Sequence, residues 1–368
     1  MVKNLRNKMF VMVLLASLGT NVLFLSPYIK GKLTQDNTSF FDSNTSDKEL
    51  LAAVVNASSE CDDSRMIQRE YKGLREDVKA LFEAERNSES YNNYYMAYNW
   101  AGLSQYAIKR NDKVLIAKLK EKADTWIGED GRLTYSINRI DQCPIGIMYL
   151  NLYGITKEKK YLSVATQLFN FLKTKKNKDN VIPYDKENNL TDALGMIVPF
   201  LMEYYSLTND TLAKQISVDN IRAFQQNCLD EGTHLPFHGY NINKKLQVGS
   251  CNWGRGIGWY LLAMAYCQEA NDSILKNNIE KLNYTQFPLS SYRFDSSTAL
   301  MFEIYKQSST PQRKLNLDFI RTHVRKNGYV SDCSGDTYDL NEYSHSFGNS
   351  ELCNGLLLIL VSKFSNRQ

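Results

Sequence analysis

From residue 94 onward, apolar residues recur at intervals of three and four in blocks parted by short polar joints, the spacing of amphipathic helices. The blocks predict helices in pairs: 94–109 with 112–127, 143–154 with 158–175, 192–207 with 210–229, 254–269 with 272–282, and 295–308 with 311–326. The joints within these pairs read KRNDK, GITKEKK, LTNDT, EANDS and QSSTPQ. Short polar joints of this kind connect antiparallel neighbours. Met66, Tyr71, Leu74, Val78, Leu81 and Phe82 predict a further helix over 65–85, and a last one covers 349–364.

Pairing of the first helix with the last closes the set into six hairpins. The expected fold is therefore all-α, an (α/α)6 barrel of six helical hairpins with short strands and loops at one end. A helical solenoid keeps a tighter period than these blocks show. The segments between hairpins are long and rich in Gly, Asn, Asp, Tyr and His: 130–141, 179–192, 230–255 and 327–349. They carry the candidate chemistry.

The N-terminus changes the picture. Lys3, Arg6 and Lys8 precede an apolar stretch from Met9 to Tyr28. About 20 such residues suffice to cross a bilayer as a helix. A small-x-small cleavage site is absent before Pro27, which favours an uncleaved signal anchor over a signal peptide. Residues 33–63, rich in Asn, Ser, Thr and Asp, predict a polar linker. The expected domains are thus an anchor over 1–32, a linker over 33–63 and a barrel over 64–368. The barrel is expected outside the cytoplasm, periplasmic or at the cell surface, or secreted if the segment is cleaved. The membrane is met only through this N-terminal segment.

Charge adds an exclusion. With 44 basic and 40 acidic residues the net charge is +4, and the scattered basic residues leave no nucleic-acid footprint. The 7 cysteines contain no C-x-x-C pair, so a zinc ribbon is not expected and buried thiols are. His234 and His238 are spaced as a metal pair, but Pro236 breaks the helix such a pair requires. Neither a metal nor a cofactor is expected.

Asp141, Asp192, Arg255, Asp295 and Asn349 each stand at or beside the start of a first helix of a hairpin. In a ring of hairpins such ends open on one face. Helix capping explains Asp and Asn at these places equally well, but not Arg255. Asp141 and Asp192 are the candidate catalytic pair, because sugar chemistry needs a proton delivered and a water deprotonated. Two carboxylates close together raise one another's pKa. Candidate substrate-binding residues are His238, Tyr240, Trp253, Arg255, Trp259, Asp295 and Ser297. The stretch from Asn252 to Tyr260 is the most specific, with two of the 4 tryptophans flanking Gly254-Arg255-Gly256.

In order along the chain stand Ile140-Asp141, Gly146, Leu152-Tyr153, Asp192, Met196 and Pro199-Phe200-Leu201. His238-Gly239-Tyr240, Trp253-Gly254-Arg255, Gly258-Trp259-Tyr260, Asp295-Ser296-Ser297-Thr298-Ala299 and Phe347-Gly348-Asn349 come after them. This set resembles glycoside hydrolase families 88 and 105, the unsaturated uronyl hydrolases. The resemblance implies a metal-free reaction on sugars left by polysaccharide lyases. An aspartate protonates carbon 4 of a terminal unsaturated uronic acid and activates water for carbon 5. The hemiketal then opens and releases the next sugar. By motif Asp192 is that acid and base, and Asp141 its supporting carboxylate. The implied partner is an oligosaccharide or polysaccharide. Two other readings stay open: a glycosidase acting on saturated surface-polysaccharide sugars, and a non-catalytic glycan-binding protein on the same barrel.

Overall fold

The computed structural model describes residues 2–61, 68–69, 93–251, 253–270, 272–281, 294–310, 312–337 and 339–365. Six helices form an inner ring: α3 (Tyr94–Arg110), α5 (Ile145–Thr156), α7 (Thr191–Thr208), α9 (Gly254–Tyr266), α11 (Ser296–Ser309) and α13 (Glu351–Ser362). Each packs against the next, and α13 packs against α3, so the ring closes. The seam is at Gly102 and Gly355, where either glycine's Cβ would collide with the opposing backbone.

Burial separates inner from outer helices. Every residue of α9 is buried, as expected for a helix surrounded by protein. The outer α4 (Lys113–Thr125) buries only the stripe Leu115, Leu119 and Ala123. Outer helices α6 (Lys159–Lys175), α8 (Thr211–Cys228) and α10 (Ser273–Lys281) complete successive hairpins. The Asn-Asp joints are turn devices. Asn111 and Asn209 take left-handed conformations that end inner helices. Asp112 and Asp210 then cap the outer ones, accepting from the Leu115 and Leu212 amides. Because each outer helix returns the chain, the inner helices run parallel and their N-termini share one mouth.

Two expectations are corrected and a third lies almost wholly outside the described residues. The sixth outer helix is α2 (Asp47–Glu60), which packs on α13, α3 and α4. It lies inside the segment read as a linker, because Leu50, Leu51, Val54 and Ala57 form a buried stripe. The polar residues before it are also fixed. Asp36 accepts from Asn327 and Asn349, and Arg321 donates to the Thr45 carbonyl and the Asp47 carboxylate. The helix expected over 65–85 falls outside the described residues, save Gln68–Arg69, which form strand β1. The helix expected over 311–326 shrinks to α12 (Asp318–Arg321). There the Asn316 side chain accepts from the Asp318 amide, a local turn that competes with helix.

Helix α1 (Val2–Thr34) carries exposed Met9, Phe10, Met12 and Leu15. Among the described residues, no helix is long and apolar enough to cross a membrane. Two small antiparallel sheets edge the mouth. One orders β2 (Asn188–Leu190), β3 (Gly239–Asn241) and β4 (Gln247–Val248). The other orders β1, β6 (Phe347–Asn349) and β5 (Cys333–Ser334).

Candidate active site

The first sheet builds the central contact. β2 runs directly into α7, and its last residue Leu190 pairs with Gly239. That register lays His238 beside the first turn of α7, which holds Asp192. The His238 Nε2 is 3.3 Å from Asp192 Oδ2. His238 Nδ1 is 3.1 Å from the Leu340 carbonyl, which only accepts, so Nδ1 carries a proton. A neutral His238 therefore presents a bare Nε2 to Asp192. The ring is locked from the side by Trp253, whose centroid is 4.4 Å away, and Trp253 in turn stacks on Tyr343. His238 and Trp253 are both buried; Asp192 keeps 20% of its side-chain surface.

Asp141 sits in a 3-10 turn, Ile140–Gln142, just ahead of α5 and packed against α7. Gln142 closes the turn by accepting from the Asn138 and Arg139 amides. Burial above all raises the Asp141 carboxyl to about 6; Arg139 pulls it down, and Asp192 and Asp336 push it up. Asp141 thus holds its proton well above the usual carboxylate range.

Sequence reasoning singled out neither Asp336 nor Tyr184. Asp336 lies in the loop after β5 and accepts from the Tyr94 hydroxyl at 2.8 Å. Tyr94 opens inner helix α3, so this carboxylate is at the same mouth. Tyr184 precedes β2 and is 39% exposed. Partial burial, and then the charges of Asp141, Asp192 and Asp336, raise its phenol above the ordinary range, so the ring lies within electrostatic reach of all three. It is the mouth's accessible aromatic face, the kind of surface on which a sugar stacks. Arg139 is exposed and donates to the Asn93 side chain at 2.6 Å. The signals were local: Arg139 is two residues from Asp141, and Tyr184 and Asp336 stand in segments already marked as chemical.

Several expected substrate contacts belong to the scaffold. Arg255 is buried and donates to the Ser334 carbonyl at 2.5 Å and to the Gly335 carbonyl. Asp295 is a buried helix cap, accepting from the Ser297 amide at 2.9 Å, the Ser297 hydroxyl at 2.7 Å and the Thr298 hydroxyl at 3.1 Å. It also accepts from the Ser334 hydroxyl at 2.8 Å. Ser297 is spent on that cap. Trp259 lies below the mouth against Gly195, Tyr94 and Tyr98. Tyr240 is buried against Phe224, its hydroxyl accepting from Asn189. These rings and charged groups were expected to meet the substrate; here they fill the layer that supports the mouth.

His234 bonds Asp272 instead of joining His238. Among the described residues no group of His, Cys, Asp and Glu forms a metal centre. The seven cysteines are thiols.

The profile of Glycosyl Hydrolase Family 88 matches residues 64–289. The fold is similar to a family 105 glycoside hydrolase from C. acetobutylicum, at 18% identity and a TM-score of 0.60 over 74% of this chain and 93% of that one. A possible family 105 member from Klebsiella pneumoniae matches at 13% identity and a TM-score of 0.65, over 87% and 93%. The unsaturated glucuronyl hydrolase of Bacillus sp. GL1 matches at 12% identity and a TM-score of 0.56, over 86% and 95%.

Proposed function

Because the chain belongs to Glycosyl Hydrolase Family 88 and is a glycoside hydrolase, we propose that it releases a terminal unsaturated uronic acid from oligosaccharides by hydrating the 4,5 double bond. The observation that carries this reading is the Asp192–His238 contact at the mouth, with the proton-holding Asp141 beside it. Asp192 delivers a proton to carbon 4, then takes one from the water that attacks carbon 5. The hemiketal so formed opens without further help. His238 serves the first step: its bare Nε2 accepts a hydrogen bond from protonated Asp192 and orients the acid. Asp141 in its protonated form adds no negative charge beside Asp192 and so leaves it the stronger acid, which eases proton transfer to carbon 4. The exposed Arg139 guanidinium is placed to meet the uronate carboxylate. Hydration of a vinyl ether in this way differs from the two-carboxylate routes of ordinary glycosidases.

The test is loss of the ultraviolet absorbance of the double bond when the full chain is mixed with disaccharides made by lyases from pectin and from glycosaminoglycans. Consumption that disappears in Asp192→Asn is the expected result. No consumption of any of them by folded protein would overturn the reading and leave saturated-glycan hydrolysis or glycan binding. The proposal includes location: the exposed apolar side chains of α1, Met9 to Leu33, favour attachment to a membrane with the barrel outside the cytoplasm. Release of the protein from membranes by alkaline carbonate would overturn that part.

A further inference from the structure

The mouth carries more carboxyl groups than acid–base chemistry uses. Asp192 and Asp141 suffice for the proposed proton transfers, yet Asp336 is held beside them. The structure invests heavily in that placement. Arg255 fixes the Ser334 and Gly335 carbonyls from one side. Asp295 fixes the Ser334 hydroxyl from the other. The next residue is Asp336, whose Oδ1 accepts from Tyr94 at 2.8 Å and lies 3.9 Å from Arg255 Nη2. Its side chain still keeps 34% of its surface. Asn93 and Tyr94, consecutive at the start of α3, thus hold Arg139 and Asp336 respectively. One short stretch of backbone tethers both an exposed cation and a partly exposed anion at the rim.

We propose that Asp336 is a specificity-determining residue: it accepts hydrogen bonds from hydroxyls of the sugar next to the uronic acid and excludes a neighbour that carries an anionic substituent. The inference rests on the substrate lying in the Asp141–Asp192 mouth. A carboxylate accepts from sugar hydroxyls but repels a sulfate ester or a second carboxylate at the same distance. Arg139 matches one negative group, the uronate. A second would face the Asp336 carboxylate. The substrate class is then an unsaturated uronic acid joined to an uncharged sugar. Arg255 and Asp295 enter as positioning residues, acting through the loop.

The test compares an unsulfated chondroitin-lyase disaccharide with its 6-sulfated counterpart, in wild type and in Asp336→Asn. Wild type is expected to favour the unsulfated sugar in kcat/KM by about tenfold or more, the scale of one like-charge contact near a protein surface. Asp336→Asn is expected to narrow that ratio severalfold, mainly through a lower KM for the sulfated sugar. Added salt should narrow it in wild type and leave the variant little changed. An equal ratio in the two proteins overturns the inference. Should neither disaccharide be consumed, calorimetric Kd values of the same pair separate the two claims. Preferential binding of the unsulfated sugar that Asp336→Asn erases keeps the inference and fells the hydrolase reading. Binding of neither, or equal binding of both, fells the inference as well.

Discussion

Asp192 and Asp295 each stand at the start of an inner helix opening on the same mouth, and they do opposite work. Asp295 is 2% exposed, and its oxygens are taken up by Ser297, Thr298 and Ser334. Asp192 is 20% exposed and meets an imidazole nitrogen. The difference begins with position: Asp295 is the N-cap of its helix, whereas Asp192 is the second residue inside its own, past the place from which a side chain caps the turn. Ser296-Ser297-Thr298 puts hydroxyls and a turn amide within reach of Asp295, a cap that satisfies itself. Ala193-Leu194-Gly195 after Asp192 offers no hydroxyl, so its partner has to come from the start of β3. A helix start becomes a reactive group when its own turn cannot consume it.

The strongest way to break this comparison is to neutralise each aspartate. Asp192→Asn is expected to lower turnover by about 10²–10⁴-fold while leaving the melting temperature nearly unchanged. Asp295→Ala is expected to cost about 2–4 kcal/mol of stability in denaturant titration, because the cap and the Ser334 hydroxyl lose their acceptor together. The reverse pattern, a stable but inactive Asp295→Ala and an unfolded Asp192→Asn, would refute the division of labour.

Asp141 sharpens the contrast through pH. Its pKa is raised from 3.8 to about 6, so folding is opposed by its charge as pH climbs between those values, and in full above them. Asp141→Asn should therefore stabilise the protein by about 3 kcal/mol in alkaline buffer and not at all below both values. The wild-type kcat/KM should fall as pH rises through about 6, as the proton that limits the charge beside Asp192 is lost. Equal stability of the two proteins across the whole range would contradict this assignment. The smallest effect belongs to Tyr240→Phe, which removes one hydroxyl contact with Asn189. It should shift stability by less than about 1 kcal/mol and leave KM unchanged, since that ring does not reach the mouth. A raised KM would return Tyr240 to the substrate.

The ring of inner helices was legible because each joint wrote its own punctuation, as Asn111-Asp112 and Asn209-Asp210 do. The sixth outer helix was not, because Leu50, Leu51, Val54 and Ala57 form a short stripe inside a polar composition, and the surface it covers is made by α13, at the far end of the chain, together with α3 and α4. Asp192 and Asp141 were picked out by their places at helix starts and His238 by its loop, and the structure sets His238 Nε2 3.3 Å from Asp192. Trp259 and Tyr240 were misjudged for a common reason. An aromatic near a polar segment has the same sequence signature whether it faces the mouth or lies beneath it. Asp336 was invisible as a choice among the polar residues of 327–349, since what singles it out is the grip of Arg255 and Asp295 on its two predecessors.

The most direct test of the central claim is the reaction run in deuterium oxide and monitored by nuclear magnetic resonance, with wild type and Asp192→Asn side by side. The account predicts that wild type yields a product with deuterium on carbon 4 of the former unsaturated uronic acid, and that the variant yields none. Cleavage of the glycosidic bond with the double bond intact, or a deuterated product formed equally well by the variant, would contradict it.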